Sequence, residues 1–120
     1  MTKTIMIQGT MSGVGKSLIC AGLCRFFYRE RKKVTSFKSQ NISSASCVLD
    51  SGKQMALIQS FQSEAAGTQP NVWMNPILYK VGEAGCDIYL NGEKIGQPGK
   101  KLYQFDFYQQ KNILERRFPN

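Results

Sequence analysis

The sequence predicts an α/β fold: a parallel sheet with flanking helices, plus a small β-hairpin. Three observations predict it. The apolar run Thr4-Ile5-Met6-Ile7 stops at Gly9, as a buried strand does before a turn. A helical apolar pattern follows from Gly15 to about Arg31. A second apolar run, Val34 to Phe37, then completes a strand, helix, strand order, the signature of a parallel unit with a right-handed crossover.

Each element has its own reason. In the first helix Ile19, Leu23, Phe26 and Phe27 share one face, and Arg29, Arg31, Lys32 and Lys33 crowd the C-terminal end, where cations are favoured. Residues 41–52 are rich in serine and read as loop. A second helix is expected over 53–66, with Met55, Leu57, Ile58, Phe61 and Ala65 as its apolar contacts and Gly67 at the C′ position. Residues 72–79 read as a strand weakened by Pro76, with Trp73 and Met74 as packing residues. Asp87 to Ile95 reads as a hairpin around Asn91-Gly92, the preferred type I′ pair. Gln97-Pro98-Gly99 reads as a turn. Residues 101–117 read as a helical tail whose Tyr103, Phe105, Phe107 and Tyr108 seek a partner surface.

With 120 residues the chain makes one domain at most. Its 42% hydrophobic and 20% charged residues exclude wholesale disorder. No apolar run approaches the roughly 20 residues that span a bilayer. Gln8-Gly9 ends the N-terminal apolar stretch too early for a signal peptide, so the expectation is a cytoplasmic chain without a membrane partner. Histidine is absent, which excludes Ser-His and Cys-His nucleophiles and every histidine metal site. Cys20, Cys24, Cys47 and Cys86 form no Cys-x-x-Cys pair and read as small apolar fillers. The net charge of +8 suits anionic partners. The basic residues are scattered apart from Arg29 to Lys33, and no aromatic-basic motif accompanies them, so nucleic acid is not expected.

The chemistry sits in Gly9-Thr10-Met11-Ser12-Gly13-Val14-Gly15-Lys16-Ser17. Its end, Gly-Lys-Ser, is the end of a P-loop. Main-chain N–H groups of such a loop converge on phosphate, and the next helix adds its positive end. Gly13 and Gly15 permit the tight turns, Lys16 reaches the β- and γ-phosphates, and the Ser17 hydroxyl meets Mg²⁺. The first 29 residues carry no carboxylate, which keeps negative charge away. The strict spacing wants a glycine at position 10 and finds Thr10, with Gly9 one residue earlier. Thr10 to Ser17 are therefore the candidate nucleotide-binding residues of a P-loop NTPase-like sheet, with ATP and Mg²⁺ as cofactors. Lys38, just after the second predicted strand, falls on the same sheet edge. It is the second candidate catalytic lysine beside Lys16, able to neutralise a transferring phosphoryl group and a substrate carboxylate.

At these residues the sequence resembles a known family. Ile7 to Ser12, Val14 to Ser17, Phe37-Lys38-Ser39-Gln40-Asn41, Glu64-Ala65-Ala66-Gly67, Met74-Asn75-Pro76-Ile77-Leu78 and Leu90-Asn91-Gly92 are similar to the N-terminal region of cobyric acid synthases, of the dethiobiotin-synthetase-like group. The resemblance runs from about Thr2 to about Tyr108. It implies ATP-dependent, glutamine-using amidation of the side-chain carboxylates of a corrinoid in cobalamin biosynthesis, through an acyl phosphate. It also implies that Gln40, Asn41 and Asn75 hold the corrinoid polycarboxylate. Glu64 reads either as a site residue or as a solvated helix carboxylate.

Two departures qualify that expectation. The family pattern Glu-Ile/Met-Gly-x-Ala-Gln appears here as Gln54-Met55-Ala56-Leu57-Ile58-Gln59. Gln54 thus replaces a glutamate expected near Mg²⁺, and an amide is a weaker ligand for a hard cation. The family also continues past this length, into an acidic Glu-Gly-Ala-Gly strand and a glutaminase domain. Residues 1–120 are accordingly expected to form an incomplete, C-terminally truncated domain without a glutaminase, binding nucleotide at most. The open sheet edge would be covered by the missing C-terminal portion or by a second copy. The alternative is a catalytically dead remnant or interaction module. A partition- or septum-positioning ATPase would carry a lysine where Met11 stands.

Overall fold

The computed structural model of the protein describes residues 2–96. The elements run α1 (Lys16–Arg29), β1 (Gln40–Ser43), β2 (Ser46–Val48), β3 (Gln54–Ala56), α2 (Leu57–Ala65), a 3₁₀ turn (Val72–Met74), β4 (Ile77–Gly82), β5 (Gly85–Leu90) and β6 (Glu93–Gly96). The turn at 97–99 and the tail at 101–117 lie outside the described residues.

The fold is α/β, but its main sheet is mixed. Its order is β1-β4-β5-β6, and only β1 and β4 run parallel. Strands β2 and β3 form a separate antiparallel pair. Two expected strands are absent among the described residues: residues 4–7 and 34–37 form no ladder. A strand is a property of a pair, and apolar content alone does not supply the partner. Ile5 and Met6 accordingly stand 65% and 78% exposed. The serine-rich stretch expected as loop contains β1 and β2, because Gln40 to Ser43 pairs in register with Ile77 to Lys80.

Helix α1 buries a different face from the expected one, whereas of the contacts expected for the second helix Met55, Ile58 and Ala65 pack inward and Leu57 and Phe61 do not. Ile19, Phe26, Leu57 and Phe61 are more than half or about half exposed, while Ala21 and Cys24 of α1 meet Ala65 and Ala66 at the end of α2. Small residues let the two helix backbones approach closely, and the large residues are left at the margins. The second helix begins at Leu57 rather than near 53, because Gln54 to Ala56 pairs with Ser46 to Val48 as β3. It ends as expected: Gly67 (φ 65°) donates its N–H to Glu64 O, and Thr68 N–H to Ser63 O, the two bonds of a Schellman cap. Helix α1 closes the same way with Arg31 at φ 59°.

The sheet core is Ile77, Tyr79, Cys86, Ile88 and Leu90. The connection between β5 and β6 is Asn91-Gly92, with φ 47° and 80°, the two positive values that a type I′ turn requires. Pro76 precedes β4 instead of interrupting it, and its carbonyl accepts the Asn91 N–H (2.7 Å).

Cys24 and Cys86 are buried free thiols. Burial, with the neighbouring Cys20 sulfur, pushes the Cys24 thiol from 9.0 up to about 11. The folded state therefore keeps a proton that the unfolded chain releases above pH 9. This contribution is intact below pH 9 and is lost as pH rises through about 11. Tyr79 and Cys86, also raised by burial, act in the same direction. Urea melts between pH 8 and 11 are expected to show falling stability, less steep in Cys24→Ala. Identical slopes in the two proteins would remove the burial of this thiol as a cause.

Candidate functional site

The site is built where residues 9–17 turn into α1. Gly13 and Gly15 adopt φ 73° and 97°, a region that side chains rarely enter. Gly15 is the N-cap of α1 and carries no side-chain cap, and no acidic residue occupies the first turn. The first amides of α1 are thus left to converge on an anion, at the positive end of a 14-residue helix. The Lys16 ammonium reaches back across the loop and donates to Met11 O (2.6 Å).

Gly9 has a role that its sequence position conceals. A Cβ built on it would lie 2.7 Å from Val14 Cγ2 and 3.0 Å from both Cγ and Cδ of Lys16. It is the close-approach glycine of the loop, displaced by one residue because the loop is one residue longer. The signal was available in the sequence, in the offset between Gly9 and Thr10.

A cavity of about 370 Å³ opens here, lined by Ser12, Gly13, Gly15, Lys16, Ser17, Leu18, Lys38, Ile58 and Phe61. It gathers the loop, the start of α1, Lys38 and one face of α2. The half-exposed Phe61 thereby finds its place as a cavity wall. Thr10, Met11 and Val14 belong to the loop without lining the cavity. Helix α2 is fixed against the loop by Gln62, whose Nε2 donates to Ser17 O (3.0 Å) while its Oε1 accepts from Gln59 Nε2 (3.2 Å).

Lys38 reaches the cavity by a different route from the expected one. It precedes a strand, β1, rather than following one. Its Nζ donates to Asn41 Oδ1 (3.5 Å). Asn41 is 5% exposed, and its Nδ2 is buried without a partner among the described residues. Gln40 is exposed at the start of β1.

Outside the loop, four candidate residues do not line the cavity: Gln40, Asn41, Gln54 and Asn75. Asn75 is 1% exposed: its Oδ1 accepts from Ala56 N–H (3.2 Å), and its Nδ2 donates to Lys38 O (3.1 Å) and Ile77 O (3.0 Å). These main-chain bonds leave it no atom for direct contact with a polycarboxylate. Gln54 sits on β3, where its Oε1 accepts from Ser46 Oγ (2.9 Å) and Lys80 Nζ (3.3 Å). It does not line the cavity. The donor set there offers Mg²⁺ only the Ser12 and Ser17 hydroxyls, and among the described residues no carboxylate lines the cavity. A cation at this place would be one brought and held by a triphosphate.

A larger groove of about 680 Å³ runs past Cys47, Asp50, Lys53, Ser60, Asn71 and Trp73, and contains none of the candidate residues. Among the described residues no helix is long and apolar enough to cross a membrane, and no group of three or more acidic or cysteine side chains could hold a metal.

The chain is 50% identical over 97 residues to the cobyric acid synthase of Ruminiclostridium cellulolyticum, covering 80% of this chain and 19% of the relative. It is 44% identical over 115 residues to that of Thermodesulfovibrio yellowstonii, covering 95% and 22%, and 45% identical over 115 residues to that of Clostridium botulinum, covering 95% and 23%. The chain thus spans about a fifth of the length of these curated relatives. No solved structure matches it. The family model of the CobQ/CobB/MinD/ParA nucleotide binding domain matches residues 5–115, and the chain belongs to that family.

Proposed function

We propose that this chain is the ATP-binding part of a cobyric acid synthase, which amidates the side-chain carboxylates of a corrinoid with ammonia from glutamine. The observation that carries the reading is the single cavity joining the Gly9 to Ser17 loop, Lys16 and Lys38. Loop amides and the Lys16 ammonium hold the β- and γ-phosphates. Lys38, whose ammonium donates to Asn41 Oδ1, stands ready to neutralise both the γ-phosphoryl group and the substrate carboxylate.

The chemistry needs that charge. Carboxylate and triphosphate are both anions and repel each other until positive groups offset the repulsion. The carboxylate oxygen forms a bond to the γ-phosphorus as the bond to the bridging oxygen breaks, and ADP leaves. Ammonia then adds to the acyl carbon, the carbon–oxygen bond to phosphate breaks, and a proton is lost.

Titration calorimetry with Mg-ATP tests the binding step. Lys16→Ala is expected to weaken affinity roughly 10- to 100-fold, the loss of one charge-assisted bond of about 1.5–3 kcal/mol. Equal affinity in the two proteins would sink the reading. A second reading, nucleotide binding without chemistry, is favoured by the placement of Gln54 away from the cavity. Hydroxylamine separates the two: a hydroxamate formed from ATP and a corrinoid polycarboxylate marks an acyl phosphate, and its absence favours the silent module.

A further inference from the structure

We propose that Asn75 is a positioning residue that aims Lys38 at the phosphate cavity; the inference rests on the phosphate-binding reading above. Lys38 belongs to no helix or strand, so its placement must come from elsewhere. It comes from residues 74 and 75. The Lys38 N–H donates to Met74 O (2.8 Å), and the Lys38 carbonyl accepts from Asn75 Nδ2 (3.1 Å), so one peptide segment is gripped on both sides.

The same side chain fixes the opposite wall. Asn75 Oδ1 accepts from Ala56 N–H, and Ala56 is the N-cap of α2, which carries Ile58 and Phe61 to the cavity. Its remaining donor goes to Ile77 O, at the start of β4. One amide thus ties Lys38, α2 and the sheet together. Only asparagine has two donors and an acceptor at this reach. Aspartate loses both donors and places its charge against two carbonyl oxygens. Glutamine carries the amide one methylene too far.

A purely structural asparagine would weaken every ligand alike. A residue acting through Lys38 weakens only ligands that Lys38 touches, and its effect disappears once Lys38 is gone. The experiment is a double-mutant cycle on the full chain, with Mg-ATP and Mg-ADP titrated into the parent, Lys38→Ala, Asn75→Ala and the double variant, beside Lys16→Ala. The expected result is a loss of roughly tenfold for ATP in each single variant, about the same loss in the double variant, and little change for ADP.

Losses that multiply to roughly a hundredfold, or that are equal for ATP and ADP, would overturn the positioning role while the Lys16→Ala effect keeps the phosphate reading intact. Unchanged binding in Lys16→Ala would overturn both. If Asn75→Ala does not fold, the parent decides by NMR. The Asn75 side-chain amide signals are expected to shift on adding Mg-ATP in the parent and not in Lys38→Ala. No shift in the parent, or the same shift in both proteins, would overturn the proposal.

Discussion

Gly9→Ala is expected to weaken Mg-ATP binding roughly 10- to 100-fold while leaving the melting temperature within a few degrees of the parent. The added methyl group would sit 2.7 Å from Val14 Cγ2 and 3.0 Å from the Lys16 stem, so those side chains must give way. The lysine stem is flexible and Val14 is 45% exposed at the loop surface, which is why the fold is expected to tolerate the change. Binding is expected not to tolerate it, because the moved side chain is the lysine proposed to hold the phosphates. Gly9 has no positive φ, so backbone strain does not enter. Calorimetry beside a thermal melt reads both quantities. Parent-like affinity would show that the close approach at Gly9 is dispensable.

Gly92→Ala is expected to act on stability instead. Gly92 holds φ 80°, and a Cβ there would lie 2.5 Å from Lys53 Cβ, 2.7 Å from Val72 Cγ1 and 3.1 Å from Gln54 N. Two of these neighbours are backbone or next to it and cannot swing aside. The Gln54 N–H also donates to Gly92 O (2.9 Å), so any retreat strains the bond that joins β3 to the hairpin. Left-handed strain of about 1–2 kcal/mol adds to overpacking of about 1–3 kcal/mol. Together they lower the melting temperature by roughly 10 °C or more in a domain of this size. Gly82→Ala is the control: it has open space and no positive φ, and should melt near the parent. Equal melting of the two variants would refute the argument.

The features legible in the sequence are those whose cause is local. The Gly-Lys-Ser end of the loop, the Asn91-Gly92 turn and Gly67 at the end of α2 each follow from the conformations that a few neighbouring residues can reach. The family resemblance was legible for the same reason, since it lies in short runs of residues. What failed depends on contacts between distant segments. Residues 4–7 and 34–37 have the composition of strands and find no ladder, whereas Gln40 to Ser43, polar and unpromising, pairs with β4. The face of α1 misled because large apolar residues dominate a periodicity while small ones decide how closely helices pack.

The sequence by itself determined the family and the loop that carries the proposed phosphate contacts: the glycines, Lys16, Ser17 and a neighbourhood free of carboxylates at the start of the chain. It also determined that none of these 120 residues supplies a histidine. Only the tertiary structure decided where Lys38 stands, that Asn75 spends its amide on main chain rather than on a ligand, and that Gln54 is engaged by Ser46 and Lys80. The physical reason is that a side chain's available chemistry is intrinsic to it. Its partners are chosen by folding, across 37 residues between Asn75 and Lys38 and 26 between Lys80 and Gln54.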